Sequence, residues 1–173
     1  GCGSVILGSS EHAGRLFVRI DALAKEKSLS LEDAASEVVR ELRAAKQAIP
    51  GYGHPLHKAR DPRVGRLFEV AAEVGTPGRF IAIAESVEKV VPGIVGRDLR
   101  LNVSAAIPAV LLDVGFPAEA LKGVPILARC AGLIGHLTEE LSKPIGFALS
   151  YQATRGQRYT GTLPPGVTLK PQE

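Results

Sequence analysis

The chain has 173 residues, 45% of them hydrophobic, which allows a substantial core in one domain or two closely joined lobes. Twenty-one Lys and Arg against eighteen Asp and Glu give a net charge of +3. The signs are interspersed and there are five Phe, three Tyr and no Trp, which argues against a nucleic-acid partner and suits a small anionic ligand. No apolar run reaches membrane-spanning length without a charge or a breaker, no signal peptide is visible, and Cys2 and Cys130 form no pair pattern. The expectation is a soluble, cytoplasmic protein with no membrane partner, no zinc knuckle and no disulfide scaffold.

The chain begins Gly1-Cys2-Gly3 and enters Val5-Ile6-Leu7 at once, as a fragment of a longer polypeptide or a natural glycine-rich terminus would. From Gly14 to Lys27, Leu16, Phe17, Ile20, Leu23 and Ala24 predict an amphipathic helix. Ser30 with Asp33 forms a capping box for a second helix, whose apolar stripe runs from Leu31 to Ile49 and ends at Pro50-Gly51. Asp61-Pro62 opens a third, stopped by Gly75. Thr76 is the expected cap of a fourth, with Pro77 in its first turn and Pro92-Gly93 as its end.

A mostly apolar helix follows from about Val103 to Val114, bent or tightened by Pro108. A short turn at Pro117–Leu121 precedes the last strong helix, Val124–Leu141. Beyond Lys143 the spacing is less regular, and 161–173 reads as an extended tail. No series of alternating strands and no internal repeat is evident, so the predicted class is all-α.

Chemistry concentrates between Gly51 and Arg63. His54, His57, Lys58, Arg60 and Arg63 gather where glycines permit tight turns and Pro55 restricts the chain. A neutral imidazole there can donate to a carbonyl or hydroxyl, and Arg63 can grip a carboxylate with two prongs. Two alternatives remain open. One is a solvated turn in which Asp61 pairs with a neighbouring Arg or caps the next helix. The other is a His54–His57 metal pair, which has no third ligand in register.

On the last strong helix, Ile126, Leu127, Cys130, Leu133, Ile134 and Leu137 form an apolar arc edged by Arg129, His136 and Glu140. Arg129 is either a functional guanidinium at a cleft or one snorkelling to water, and His136 either faces a ligand or is satisfied by Glu139 or Glu140. Glu11 and His12, ahead of the first helix, either meet a carbonyl at a cleft or cap that helix.

Pro50-Gly-Tyr-Gly-His54, Asp61-Pro-Arg63, Leu101-Asn-Val103, and Ala128-Arg129 with Gly132 and His136, in this order, resemble the citrate synthase superfamily, including its smaller citryl-CoA lyase members. The resemblance runs from about Gly8 to Gly161 and covers the later part of such a protein. It implies a small CoA-binding helical domain at 12–101, part of the large helical domain at 1–11 and 102–161, and a tail at 162–173. It also implies a homodimer that binds a CoA thioester, as substrate or product with no bound cofactor or metal, together with oxaloacetate or citrate. His54 would hydrogen-bond the carbonyl of oxaloacetate or the hydroxyl of citrate. Arg63 and Arg129 would bind carboxylates, and Arg155 or Arg158 would reach the partner's site. The backbone of Pro50, Gly51, Tyr52 and Gly53 would lie against the adenine of CoA.

Two departures qualify the resemblance. The family's catalytic aspartate after Asn-Val is here Ser104, and a hydroxyl without an activating base does not take an acyl-CoA α proton at neutral pH. The family's His-Gly-Gly-Ala segment is here Ser-Ser-Glu-His-Ala-Gly, which puts His12, or with one residue of slippage Glu11, at the catalytic histidine position. The implied activity is a citryl-CoA lyase-like cleavage to a 2-oxo acid and acetyl-CoA. The alternatives are condensation in the synthase direction, a catalytically impaired CoA- and carboxylate-binding or regulatory protein, and thioester hydrolysis.

Overall fold

The computed structural model describes residues 7–53 and 61–168. His54, Pro55, His57, Lys58 and Arg60 lie outside the described residues, as do Gly1–Ile6. The described chain is all-α, and its only ladder pairing is one antiparallel bridge between Tyr52 and Leu101. It divides into two compact units, 1–128 and 129–173.

In the first unit, α1 (Ser9–Lys27) packs on α2 (Leu31–Ala44) and α5 (Val103–Asp113), while α4 (Arg79–Val95) packs on α2 and α5. α3 (Pro62–Glu73) leans on α5, and a 3₁₀ turn, η1 (Ala118–Ala120), sits against α1. The shared core draws Phe17 and Ile20 from α1, Val38 from α2, Val64 from α3, Ile83 and Val87 from α4, and alanines from α5. Small residues on α5 let its neighbours approach closely. A Cβ at Gly14 would lie 2.2 Å from Leu121 Cδ1 and 3.3 Å from Pro108 Cβ, so α1 meets α5 and the residue after η1 closely enough that a methyl would push the Leu121 side chain aside.

α1 begins at Ser9, earlier than the apolar period indicates. Glu11 and His12 therefore stand in its first turn rather than ahead of it, and Glu11 pairs with Arg15 at 2.8 Å instead of capping. The Ser30 cap of α2 forms as predicted, with the Asp33 N–H donating to Ser30 Oγ at 3.1 Å. α2 stops at Ala44, short of the Ile49 that its stripe suggested. Lys46 turns left-handed (φ 55°), and the Gln47 and Lys46 N–H groups donate back to Leu42 and Arg43. Ile49 is still buried, carried by the loop.

Two further expectations are corrected. Thr76 does not cap α4. Its backbone N–H closes the end of α3 onto Ala71, and its Oγ1 is buried with no hydrogen-bond partner among the described residues. α4 starts after Gly78, and its first amides are capped from the far end of α5. Phe80 N–H donates to Asp113 Oδ1 at 2.8 Å and Ile81 N–H to Oδ2 at 3.0 Å. Pro92 does not stop α4 either. It lies inside the last turn, and the helix closes on left-handed Gly96, whose N–H donates to the Pro92 carbonyl at 3.0 Å.

α6 (Gly123–Ser142) enters the second unit, where α7 (Gly146–Arg155) follows; the sequence pattern did not indicate α7. Its start is capped by Glu140, which accepts from the Ile145 and Gly146 N–H groups at 2.9 Å each. These bonds also hold the Glu140 carboxyl below its ordinary range. The apolar arc of α6 is not buried. Leu127, Leu133, Ile134 and Leu137 are all exposed, as is the free thiol of Cys130. Ala118–Ser142 is long and apolar enough to cross a membrane by length and composition, although it carries Lys122, Arg129 and Pro125.

Replacing Asp113 with Ala should destabilise the chain by about 1–2 kcal/mol, a remote N-cap lost. Thermal melting checks this, and Asp113→Asn, which keeps one acceptor, should fall between the two.

Candidate functional site

The residues Pro50–Gly53 are strapped across the start of α5. Asn102 N–H donates to the Gly51 carbonyl at 2.9 Å, Gly53 N–H donates to the Arg100 carbonyl at 2.7 Å, and Asn102 Nδ2 donates to the Gly53 carbonyl at 2.6 Å. Gly51 is required twice. Its φ is +86°, and a Cβ there would lie 2.5 Å from the Ala105 Cβ. Tyr52 anchors the strap from below, buried, with its hydroxyl donating to the Ala84 carbonyl of α4 at 2.8 Å. Burial pushes that phenol well above its ordinary range, so it stays a neutral donor.

Asn102 has a second task. Its Oδ1 accepts from Ser104 N–H at 2.8 Å and caps α5. One side chain thus fixes both the Gly53 carbonyl, from which the His54 segment departs, and the first turn that carries Ser104.

Asp61 completes the framework. It is 1% exposed and receives four donors among the described residues. These are the Arg63 backbone N–H at 3.1 Å, Arg63 Nε at 2.9 Å, Arg63 Nη2 at 2.8 Å and Val103 N–H at 3.0 Å. The expectation that Asp61 pairs with an Arg or caps a helix therefore holds on both counts. The clasp also brings the Arg63 guanidinium beside the α5 terminus, one residue from Ser104. Among the described residues only Nε and one Nη2 hydrogen are occupied, and the outer Nη1/Nη2 edge of this exposed fork has the geometry to take a second carboxylate.

A groove of about 590 Å³ opens beside the strap, with His12, Arg15 and Arg19 of α1 on one wall and Gln47, Ala48 and Pro50 on the other. His12 and Pro50, nominated separately by the sequence, thus face one space. Arg15 and Arg19 were not nominated. Their spacing of three and seven residues from His12 is the signal that would have found them.

The remaining predicted residues belong to the second unit. Arg129 and Arg158 are exposed. Arg155 donates to the Tyr151 hydroxyl at 2.8 Å and stacks 5.2 Å from that ring's centre. His136 is exposed and lies 3.2 Å from Glu139, the satisfied arrangement rather than a buried one. No group of three His, Cys, Asp or Glu side chains suited to a metal occurs among the described residues.

The Arg63 guanidinium, with help from the Val103 and Arg63 amides, holds the Asp61 carboxyl far below its ordinary value of 3.8, against the opposing effect of burial. A depressed folded value means that this stabilisation is present at neutral pH and fades as pH falls below about 4. Asp61→Asn, which turns an amide donor toward Arg63 or Val103, should cost about 2–3 kcal/mol at pH 7. Denaturant melts of both proteins from pH 7 to pH 2 should show the gap closing at the acid end.

The family model "Citrate synthase, C-terminal domain" matches residues 8–146. Among solved structures, the chain is similar to citryl-CoA lyase from Hydrogenobacter thermophilus, with 33% identity and a TM-score of 0.73, covering 96% of this chain and 62% of that one. A citrate synthase of Synechocystis is 33% identical over 103 residues, covering 57% of this chain and 26% of that protein. A citrate synthase-like protein of Phoma sp. is 27% identical over 140 residues, covering 78% and 30%. The chain therefore spans about 30% of the length of its curated relatives. The matched segment includes the strap, the Asp61 clasp and the α1 face of the groove, and on that match the chain belongs to the citrate synthase family.

Proposed function

We propose that this chain is the CoA- and carboxylate-binding part of a citryl-CoA lyase-like carbon–carbon lyase, acting on a citryl-CoA-type thioester to give a 2-oxo acid and acetyl-CoA. The observation that carries the reading is the convergence on the α5 terminus of the Pro50–Gly53 strap, the Arg63 guanidinium and position 104. In the forward reaction the bond between the hydroxyl-bearing carbon and the thioester α carbon breaks. The hydroxyl gives its proton to His54 as it becomes a carbonyl, the electron pair moves onto the thioester as an enolate, and the α carbon then takes one proton back from solvent, so the cleavage is proton-neutral overall. His54 acts on the hydroxyl or nascent carbonyl, His12 donates to the thioester oxygen, and Arg63 and Arg129 hold carboxylates, with Arg155 or Arg158 serving the partner's site. Condensation is the same path reversed. The CoA-binding lobe at 12–101 and the large-domain segments 1–11 and 102–161 would close around the ligands and exclude water.

Ser104 favours a second reading, a binding or regulatory protein of impaired turnover. Its position is well prepared for a carboxylate. It is half-buried in the first turn of α5, where the helix field favours a negative charge. Under the lyase reading, the full chain binds CoA and citrate in calorimetry, and Ser104→Asp raises turnover by about 100-fold or more. Binding with no turnover in either protein selects the second reading, and binding of neither ligand overturns both.

Leu127, Leu133, Ile134 and Leu137 on α6 and Phe147 on α7 are large apolar side chains left exposed in this chain. They support a homodimer that covers them. Sedimentation should report a dimer, and Ile134→Lys with Leu137→Lys should shift it to monomer without lowering the melting temperature of the first unit's core.

A further inference from the structure

We infer that Glu11 supplies the carboxylate that Ser104 lacks, taking and returning the α proton of an acyl-CoA. The inference rests on the lyase reading of this site and adds one residue to it. α1 and α5 run side by side in the same direction. They touch where a Cβ at Gly14 would lie 3.3 Å from the Pro108 Cβ. Farther along both helices, Asp113 of α5 holds the Phe80 and Ile81 amides, and the neighbouring Arg79 pairs with Asp21 of α1. The later turns of α1 and α5 therefore lie at the same end. Stepping back from the contact at 1.5 Å per residue, Glu11 stands about 4.5 Å before Gly14 and Ser104 about 6 Å before Pro108. The two first turns are level.

Rotation about the two axes agrees. At about 100° per residue, Glu11 lies about 60° around α1 from Gly14, and Ser104 lies about 40° around α5 from Pro108 in the opposite sense. For parallel helices that face each other, opposite senses bring both side chains to one flank of the contact. On α1 that flank continues into the groove wall of His12 and Arg15, which Pro50 shares, next to the Gly51 that lies on Ala105. The Glu11 side chain is only 20% exposed, and Arg15 occupies Oε1 at 2.8 Å, leaving Oε2 without a partner among the described residues. Across a helix spacing of about 8–10 Å, a glutamate at this level reaches the space beside the Ser104 hydroxyl.

In α-proton exchange, the Glu11 carboxylate takes one proton from the α carbon, and the C–H electron pair passes onto the thioester as an enolate. In cleavage the enolate forms by carbon–carbon scission instead. The Glu11 carboxyl then hands its proton to the α carbon and regains one from solvent.

The test is exchange of the acetyl-CoA methyl protons for deuterium, followed by NMR in D2O. It uses the full chain with malate, a hydroxy dicarboxylate that fills a carboxylate site and cannot condense. The inference expects exchange by the wild type and a loss of about 100-fold or more in Glu11→Gln. Arg15→Gln, which breaks the same ion pair and keeps the carboxylate, should retain exchange, and Ser104→Asp placed in Glu11→Gln should restore it. Unchanged exchange in Glu11→Gln, or equal losses in Glu11→Gln and Arg15→Gln, overturns the inference. So does exchange by Ser104→Asp but not by the wild type, which leaves the lyase reading standing. Exchange by neither overturns both. If Glu11→Gln fails to fold, Glu11→Asp decides: drawing the carboxylate back by one methylene should slow exchange about tenfold or more, and an unchanged rate overturns the inference.

Discussion

The Asp61 carboxylate is the interaction on which the first unit's site depends. A buried charge is costly unless its lone pairs are answered, and here, among the described residues, four donors from two helices answer it. Two of those donors are backbone amides, the first of α3 and the first of α5, so the carboxylate sets the distance between two helix starts. The other two belong to one guanidinium, which is thereby held at the same corner. Position, charge and helix termination are all fixed by a single side chain. The strap laid across α5 by Asn102 then has a stationary surface to lie on, and Gly51 lets it lie closer than any other residue could.

The same device recurs away from the site. Asp113 answers the first amides of α4 across 33 residues of sequence, and Glu140 answers those before α7. This separates what was legible in the sequence from what was not. Local caps obey fixed spacings, so Ser30 and Asp61 could be read directly. A remote cap leaves no local mark. The Asp113 cap displaced Thr76 from its expected role, and the Glu140 cap allowed a helix to start after Pro144 where irregular spacing suggested none. Helix ends were misplaced for a related reason. Leu42 and Arg43 accept the closing bonds of α2 while Lys46 takes a left-handed conformation that a sequence pattern does not reveal.

The site was legible in its backbone and less so in its electrostatics. Glycine, proline and aspartate spacing marked the strap and the clasp, because those residues are demanded by conformation and capping. The groove's arginines were visible only as ordinary surface charge on α1, since their meaning depends on the loop at 47–50 folding opposite them. The apolar arc of α6 was also legible as a stripe, and periodicity correctly named its residues. Periodicity says that a stripe needs cover, not that this chain supplies the cover, and Leu133 and Leu137 stand exposed.

Position 104 shows how far binding and catalysis can separate in one framework. Asn102 still caps the helix, the strap still crosses it, and Asp61 still holds Arg63 one residue away. These contacts involve backbone atoms and neighbours of residue 104, none of which requires a carboxylate there. A serine therefore fits the corner without disturbing it. What changes is the chemistry available: a hydroxyl can donate or accept a hydrogen bond, but it does not take a proton from carbon at neutral pH without a base beside it. Under the proposed function, such a framework would still bind a thioester and a carboxylate, while the proton step would need a base that Ser104 does not supply. That is the physical difference between the lyase reading and the binding reading of this chain.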